Sequence, residues 1–143
     1  MEFIQFWRKY SKVADRETRS VTLFEDNAWR LPPGTYGLVE SFCIDDACDC
    51  CKVMITVVSF ESVRHEVVAT IGYGWETAAF YTAWMLGDEA RGVMLTGSYL
   101  ELGAEQSRQS NAWLQLWNDL ILPDEEYRDR IRRHYGMFKS IAI

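Results

Sequence analysis

Three stretches between Thr35 and Ile71 leave little choice of architecture. Over residues 35–44 the side chains alternate, with Tyr36, Leu38, Glu40 and Phe42 on one face and Gly37, Val39, Ser41 and Cys43 on the other. That is the period of a strand. Residues 53–60 and 67–71 follow, rich in β-branched side chains and too short for ordinary helices. Three such strands in succession make an antiparallel meander. Upstream, Leu31-Pro32-Pro33-Gly34 cannot lie inside a helix or a central strand and marks a connecting loop, while Val21-Thr22-Leu23-Phe24 reads as a further short strand.

Elsewhere the period is helical. Phe3, Phe6, Trp7 and Tyr10, continued by Val13 and Ala14, predict an amphipathic helix over residues 2–14. After Gly72-Tyr73-Gly74 the spacing of Trp75, Ala79, Tyr81, Trp84 and Met85 predicts another over 75–86. Trp113, Leu114, Leu116, Trp117, Leu120 and Ile121 form a wide apolar stripe that Pro123 stops. Tyr127, Ile131 and Tyr135 lie four apart on a last helix whose other positions include Arg128, Arg130, Arg132, Arg133 and Lys139, so one side of it is expected to be buried. Strands followed by a run of helices describe an α+β fold, an antiparallel meander of at least three strands with helices packed on one face. Trp84, Trp113, Leu116, Trp117 and Leu120 are the side chains expected to bury against that face. A chain of 143 residues with 48% hydrophobic residues fits one domain spanning residues 1–143. Its six Trp, seven Tyr and seven Phe point to a core filled by large rings.

Charge narrows the partners. Fifteen Lys plus Arg against 21 Asp plus Glu give a net −6, a field that repels phosphate backbones and anionic lipid, so no nucleic acid and no membrane is expected. No apolar run approaches the roughly eighteen residues of a membrane span. The first residues, with an early Glu2 and no small-residue cleavage site, do not read as a signal peptide. A cytoplasmic location is therefore expected, where clustered cysteines bind metal or do redox work more often than they form disulfides.

All four cysteines fall between Cys43 and Cys51, where the first meander strand ends and the second begins. A hairpin tip can bring Cys43 opposite Cys50, and Cys48 can turn inward beside them on an irregular loop. Three thiolates then face one cation. Zinc suits such a set because deprotonated sulfur at about 2.3 Å satisfies its tetrahedral shell once a fourth ligand closes the site. Cys51 is the nearest fourth. The spacing differs from zinc ribbons and fingers, which match one pair with a second distant pair. Packed, inert thiols and a thiol redox or metal-trafficking site are the alternatives.

Gly34-Thr35-Tyr36-Gly37-Leu38-Val39-Glu40-Ser41-Phe42-Cys43, then Cys48-Asp49-Cys50, and at the far end Arg133-His134-Tyr135-Gly136-Met137-Phe138-Lys139 resemble an uncharacterised bacterial family whose longer members carry a cysteine-rich SEC-C-type metal-binding tail. The likeness covers roughly residues 33–139 and implies no activity; no such tail is read within residues 1–143. In the family a basic residue usually follows the Cys-Asp-Cys step, and here Cys51 stands in its place. The resemblance therefore implies Cys43, Cys48 and Cys50 as the ligand set. His134, in the family-like Arg133-His134-Tyr135 step, is then the candidate fourth ligand if the last helix crosses the hairpin tip. The ordinary alternative is a hydrogen-bonded or exposed histidine. His65 is a weaker candidate.

The remaining motifs point nowhere catalytic. Glu25-Asp26 and Asp45-Asp46 are acidic pairs of the kind turns favour. No nucleophile elbow, phosphate loop or dinucleotide fingerprint is present. The arginine-rich last helix offers a face for an acidic partner, or simply a solvated one. The expected function is a small protein with a structural zinc site, acting as a binding or interaction module for a protein partner rather than as an enzyme.

Overall fold

The computed structural model describes residues 2–45, 47–61 and 63–139. In chain order its elements are β1 (Phe3–Gln5), α1 (Phe6–Lys9), α2 (Ser11–Glu17), β2 (Arg19–Leu23), β3 (Gly34–Cys43), β4 (Lys52–Ser59), β5 (Val67–Gly74), α3 (Ala78–Trp84), α4 (Glu89–Leu95), β6 (Gly97–Leu100), α5 (Ser110–Leu116) and α6 (Glu125–Phe138). A π turn, Trp117–Ile121, extends α5. The expected meander is present as β3–β4–β5 and is continued antiparallel by β6. Among the described residues no helix is long and apolar enough to cross a membrane.

The far edge of β3 is covered twice. β1 pairs along Ser41 to Cys43 and β2 along Gly34 to Leu38, so the two short strands run end to end on one edge. Between them Val39 and Glu40 have no strand partner on that edge. The chain leaves the edge at Gln5, crosses the sheet face as α1 and α2, and returns at Arg19. This corrects the single helix expected over 2–14: Phe3, Ile4 and Gln5 pair with β3, and at Tyr10 the backbone (φ −133°, ψ 62°) separates two short helices. Helical spacing in the apolar residues lost to the hydrogen bonds that an open sheet edge offers.

Alternation along the strands sets the core. Tyr36, Leu38 and Phe42, with Val53, Ile55, Val57, Ala69, Ile71 and Tyr73, are buried on one face. Trp113, Leu116, Trp117, Ile121, Tyr127, Ile131, Tyr135 and Phe138 cover them from α5, the π turn and α6. Phe6 adds its ring from α1, edge-on to Phe42. Trp113, Leu116 and Trp117 are buried as expected, and Trp84 packs half-buried against the core. Leu120 is not buried: it is 41% exposed. The π turn, closed by the Leu122 N–H on the Trp117 carbonyl at 2.8 Å, widens the helix there and carries Ile121 inward in its place.

Helix ends follow local chemistry. Thr77, Asp88 and Asp124 cap α3, α4 and α6, their side chains accepting the N–H of Phe80, of Arg91, and of Glu126 and Tyr127. The helix expected over 75–86 is shorter, Ala78–Trp84, and beyond it the φ of 57° at Leu86 turns the chain away. At the opposite terminus of α6, Lys9 Nζ and Tyr10 Oη donate to the Phe138 and Met137 carbonyls at 2.7 and 2.6 Å, satisfying groups a helix end leaves open. One expectation for α6 is overturned: Lys139, placed with its solvent-facing positions, is 3% exposed.

Candidate metal centre

β3 delivers Cys43 from its last position, and the connection to β4 folds back so that Cys48 and Cys50 meet it. The Sγ atoms of Cys43, Cys48 and Cys50 all lie within 4.8 Å of one another. Cys43 and Cys50 are fully buried and Cys48 half-buried, and none is in a disulfide. A tetrahedral or trigonal ion with sulfur ligands at about 2.3 Å requires sulfur atoms about 4 Å apart, which the group can reach with little movement.

The loop holds this shape through identifiable contacts. The Asp45 side chain accepts the Ala47 N–H at 3.0 Å and its carbonyl accepts the Cys48 N–H at 3.0 Å, making a tight turn after β3. Lys139 Nζ donates to that same Asp45 carbonyl at 2.6 Å. At the other end Cys51 adopts φ 50°, a left-handed conformation disfavoured for a side chain of this type. Its N–H donates to Tyr135 Oη at 3.3 Å, and its carbonyl accepts from Tyr81 Oη at 2.7 Å and from the Trp75 N–H at 3.3 Å. Those bonds fix a backbone reversal between Cys50 and β4. Asp49 is tethered outward by Trp84 Nε1 at 3.0 Å.

Burial shapes the acidity of the Cys50 and Cys51 thiols. Burial, then the neighbouring Cys48 sulfur, pushes the Cys50 thiol up to about 12, opposed by the Lys52 backbone N–H that donates to it. Burial also raises the Cys51 thiol, with Glu76 adding to the shift. Cys51 is not part of the three-sulfur group.

His134 is not brought to the cysteines, which corrects its assignment as fourth ligand. It is 1% exposed, with Nδ1 2.7 Å from Glu40 Oε1 and Nε2 2.6 Å from Glu17 Oε1, so both ring nitrogens are already engaged. α6 does reach the hairpin tip, through Tyr135 and the Lys139 that follows it. His65 is exposed at φ 49°, its ring edge-on to Phe60. Asp46, one of the acidic pair, lies outside the described residues; Glu25 and Asp26 are exposed, with Asp26 at φ 61° in a turn. The arginines of α6 are mostly engaged: Arg128 on the Leu122 carbonyl, Arg130 on the Glu17 carbonyl, Arg132 on Asp129 and Arg133 on Glu17.

Spacing alone did not point to the loop's supports. A signal for the Glu17–His134–Glu40 group did exist, since Glu40 alternates onto an otherwise apolar face, where a buried carboxylate demands a partner. Tyr135→Phe tests the support directly. Loss of its hydroxyl leaves the Cys51 N–H without an acceptor, and the variant is expected to lose about 1 kcal/mol in urea unfolding.

Comparison finds no match to this chain among protein-family models, curated proteins or solved structures. The site stands on its geometry.

Proposed function

We propose that this chain is a small metal-binding protein in which zinc, held by Cys43, Cys48 and Cys50, fastens the β3–β4 connection and so shapes a module for binding a protein partner. The observation that carries this reading is the convergence of three sulfurs, two of them fully buried, within 4.8 Å. Sulfur-only donors select soft or borderline ions such as zinc over calcium or magnesium. A metal there would neutralise thiolate charge, which the Lys52 backbone N–H donating to the Cys50 sulfur also offsets, and would act on structure rather than on a substrate. Kinship with the bacterial family that shares the Cys-Asp-Cys hairpin remains part of this proposal.

A thiol redox role would use the same sulfurs, and the closeness of the Cys48 and Cys50 sulfurs, within 4.8 Å, is the contact that favours it. Against it, redox-active cysteines are exposed with lowered pKa, whereas Cys50 is buried and raised. The metal reading therefore leads.

Substitution separates the ligands from the bystander. Cys50→Ser is expected to remove stoichiometric zinc, and Cys51→Arg to leave zinc content at the wild-type level, both read by elemental analysis of purified protein. Loss of zinc from Cys51→Arg together with retention in Cys50→Ser would overturn the assignment.

A further inference from the structure

We propose that Glu17, His134 and Glu40 form a proton-operated latch that holds α2 against α6 and β3, and that loss of the His134 proton loosens α2 between the break at Tyr10 and the sheet edge regained at Arg19. The group is built from three elements far apart in sequence. His134 lies on the buried face of α6, Glu40 on the core face of β3 and Glu17 at the end of α2. Each ring nitrogen faces a carboxylate oxygen, at 2.7 Å for Glu40 and 2.6 Å for Glu17. Two acceptors on one imidazole are both satisfied only when both nitrogens carry protons.

Other groups around the ring fit a cation in that place. Phe6 from α1 stacks on the imidazole, with ring centroids 4.2 Å apart. From α6, Arg133 reaches Glu17 Oε1 at 2.9 Å and Arg130 donates to the Glu17 carbonyl at 3.0 Å. The buried Tyr127 hydroxyl, which has no hydrogen-bond partner among the described residues, feels the charge of Glu40. Arg19 from β2 lies 5.5 Å over the Tyr127 ring. Counting Glu17, Glu40, His134 and Arg133 as charged, the chain of contacts is neutral.

The two carboxylates do not hold equally. Glu40 has 4% of its side chain exposed, whereas Glu17 has 27% exposed and Arg133 as a second partner. A neutral imidazole keeps one N–H, and the desolvated Glu40 retains it. Nε2 then turns a lone pair on Glu17, and that contact becomes repulsive. α1 stays in place because Lys9 and Tyr10 are tied to the end of α6. α2, beyond the break at Tyr10, keeps the Arg130 bond to the Glu17 carbonyl and the Arg133 ion pair and loses the bond to the imidazole. A crevice of about 10 Å³ lined by Phe6, Ala14, Thr18, Glu40 and His134 already marks the seam, room for about one water.

The direction of the pH response follows. Burial alone would lower the His134 pKa, but hydrogen bonds and charge from Glu40 and then Glu17 outweigh it and the net shift is upward. Closure from this source is complete below the ordinary value of about 6.5 and is lost as pH rises through the raised value. Glu17, held down to about 2 by His134 and then by Arg133, contributes closure above its ordinary value and loses it as pH falls toward about 2. The latch is therefore tightest in mildly acidic solution.

Hydrogen exchange at the Ala14 and Thr18 amides, both bonded within the α2 segment, tests it across about pH 5.5 to 9, corrected for the intrinsic rate, with α5 amides as reference. In the wild type the opening constant of these two amides should rise above about pH 6.5, by up to about tenfold per pH unit, while the α5 amides stay level. Glu17→Gln should flatten the rise. A level wild-type profile, an equal rise in α5, or an unchanged rise in Glu17→Gln would each overturn the proposal.

Discussion

His134→Ala is expected to destabilise the protein by about 3–5 kcal/mol, among the largest effects of any single substitution, because it strips the partner from a buried acid. Glu40 sits among Leu38, Phe42 and Ile55 with 4% of its side chain exposed, and Nδ1 of His134 is the partner found for its carboxylate. The truncation also removes the ring on which Phe6 stacks. Denaturant unfolding of the variant measures the loss. The double variant His134→Leu with Glu40→Leu should recover most of it, since an apolar pair needs no partner. A loss under about 1 kcal/mol would show that Glu40 finds another partner or protonates without cost. Zinc content should be unchanged in His134→Ala protein that is still folded, because the imidazole is bound elsewhere.

The second large effect is expected on removing metal. An ion that binds the folded chain and not the unfolded one stabilises it by about 4 kcal/mol when free metal is a thousandfold above the dissociation constant. Chelation should lower the unfolding midpoint accordingly, and the Cys50→Ser variant should show no response to chelator. The binding itself should strengthen as pH rises, because the Cys50 thiol, at about 12 without metal, must give up its proton to bind. An unfolding midpoint indifferent to chelator would remove the metal from the account of stability.

The sheet was legible because its alternation is strict: residues 36, 38, 40 and 42 point one way in the sequence and in the structure alike. Positions where helical spacing coexists with an available sheet edge were not, and Phe3 to Gln5 went to the edge. α4 and β6 escaped notice because Glu89 to Leu100 shows neither period clearly; Val93 and Met94 are exposed where a helix stripe would be buried. Of the site, the three cysteines were legible from their density and from the strand ending at Cys43. The fourth residue was misassigned for a physical reason. His134 was read as the candidate fourth ligand from the family-like Arg133-His134-Tyr135 step; its neighbour Tyr135 does reach the loop, yet one residue along a helix turns the side chain by about 100°. Glu40 claims the imidazole, and Tyr135 meets the cysteines.

The central claim is that Cys43, Cys48 and Cys50 hold a metal. Metal content of protein purified without added metal, measured together with thiol reactivity in the folded and unfolded chain, tests it most directly. The account predicts about one zinc per chain, with the three thiols masked until the chain is unfolded or the metal chelated, and Cys51 reacting independently of the metal. Metal-free protein that takes up no zinc, with its thiols equally reactive before and after chelator, would contradict it.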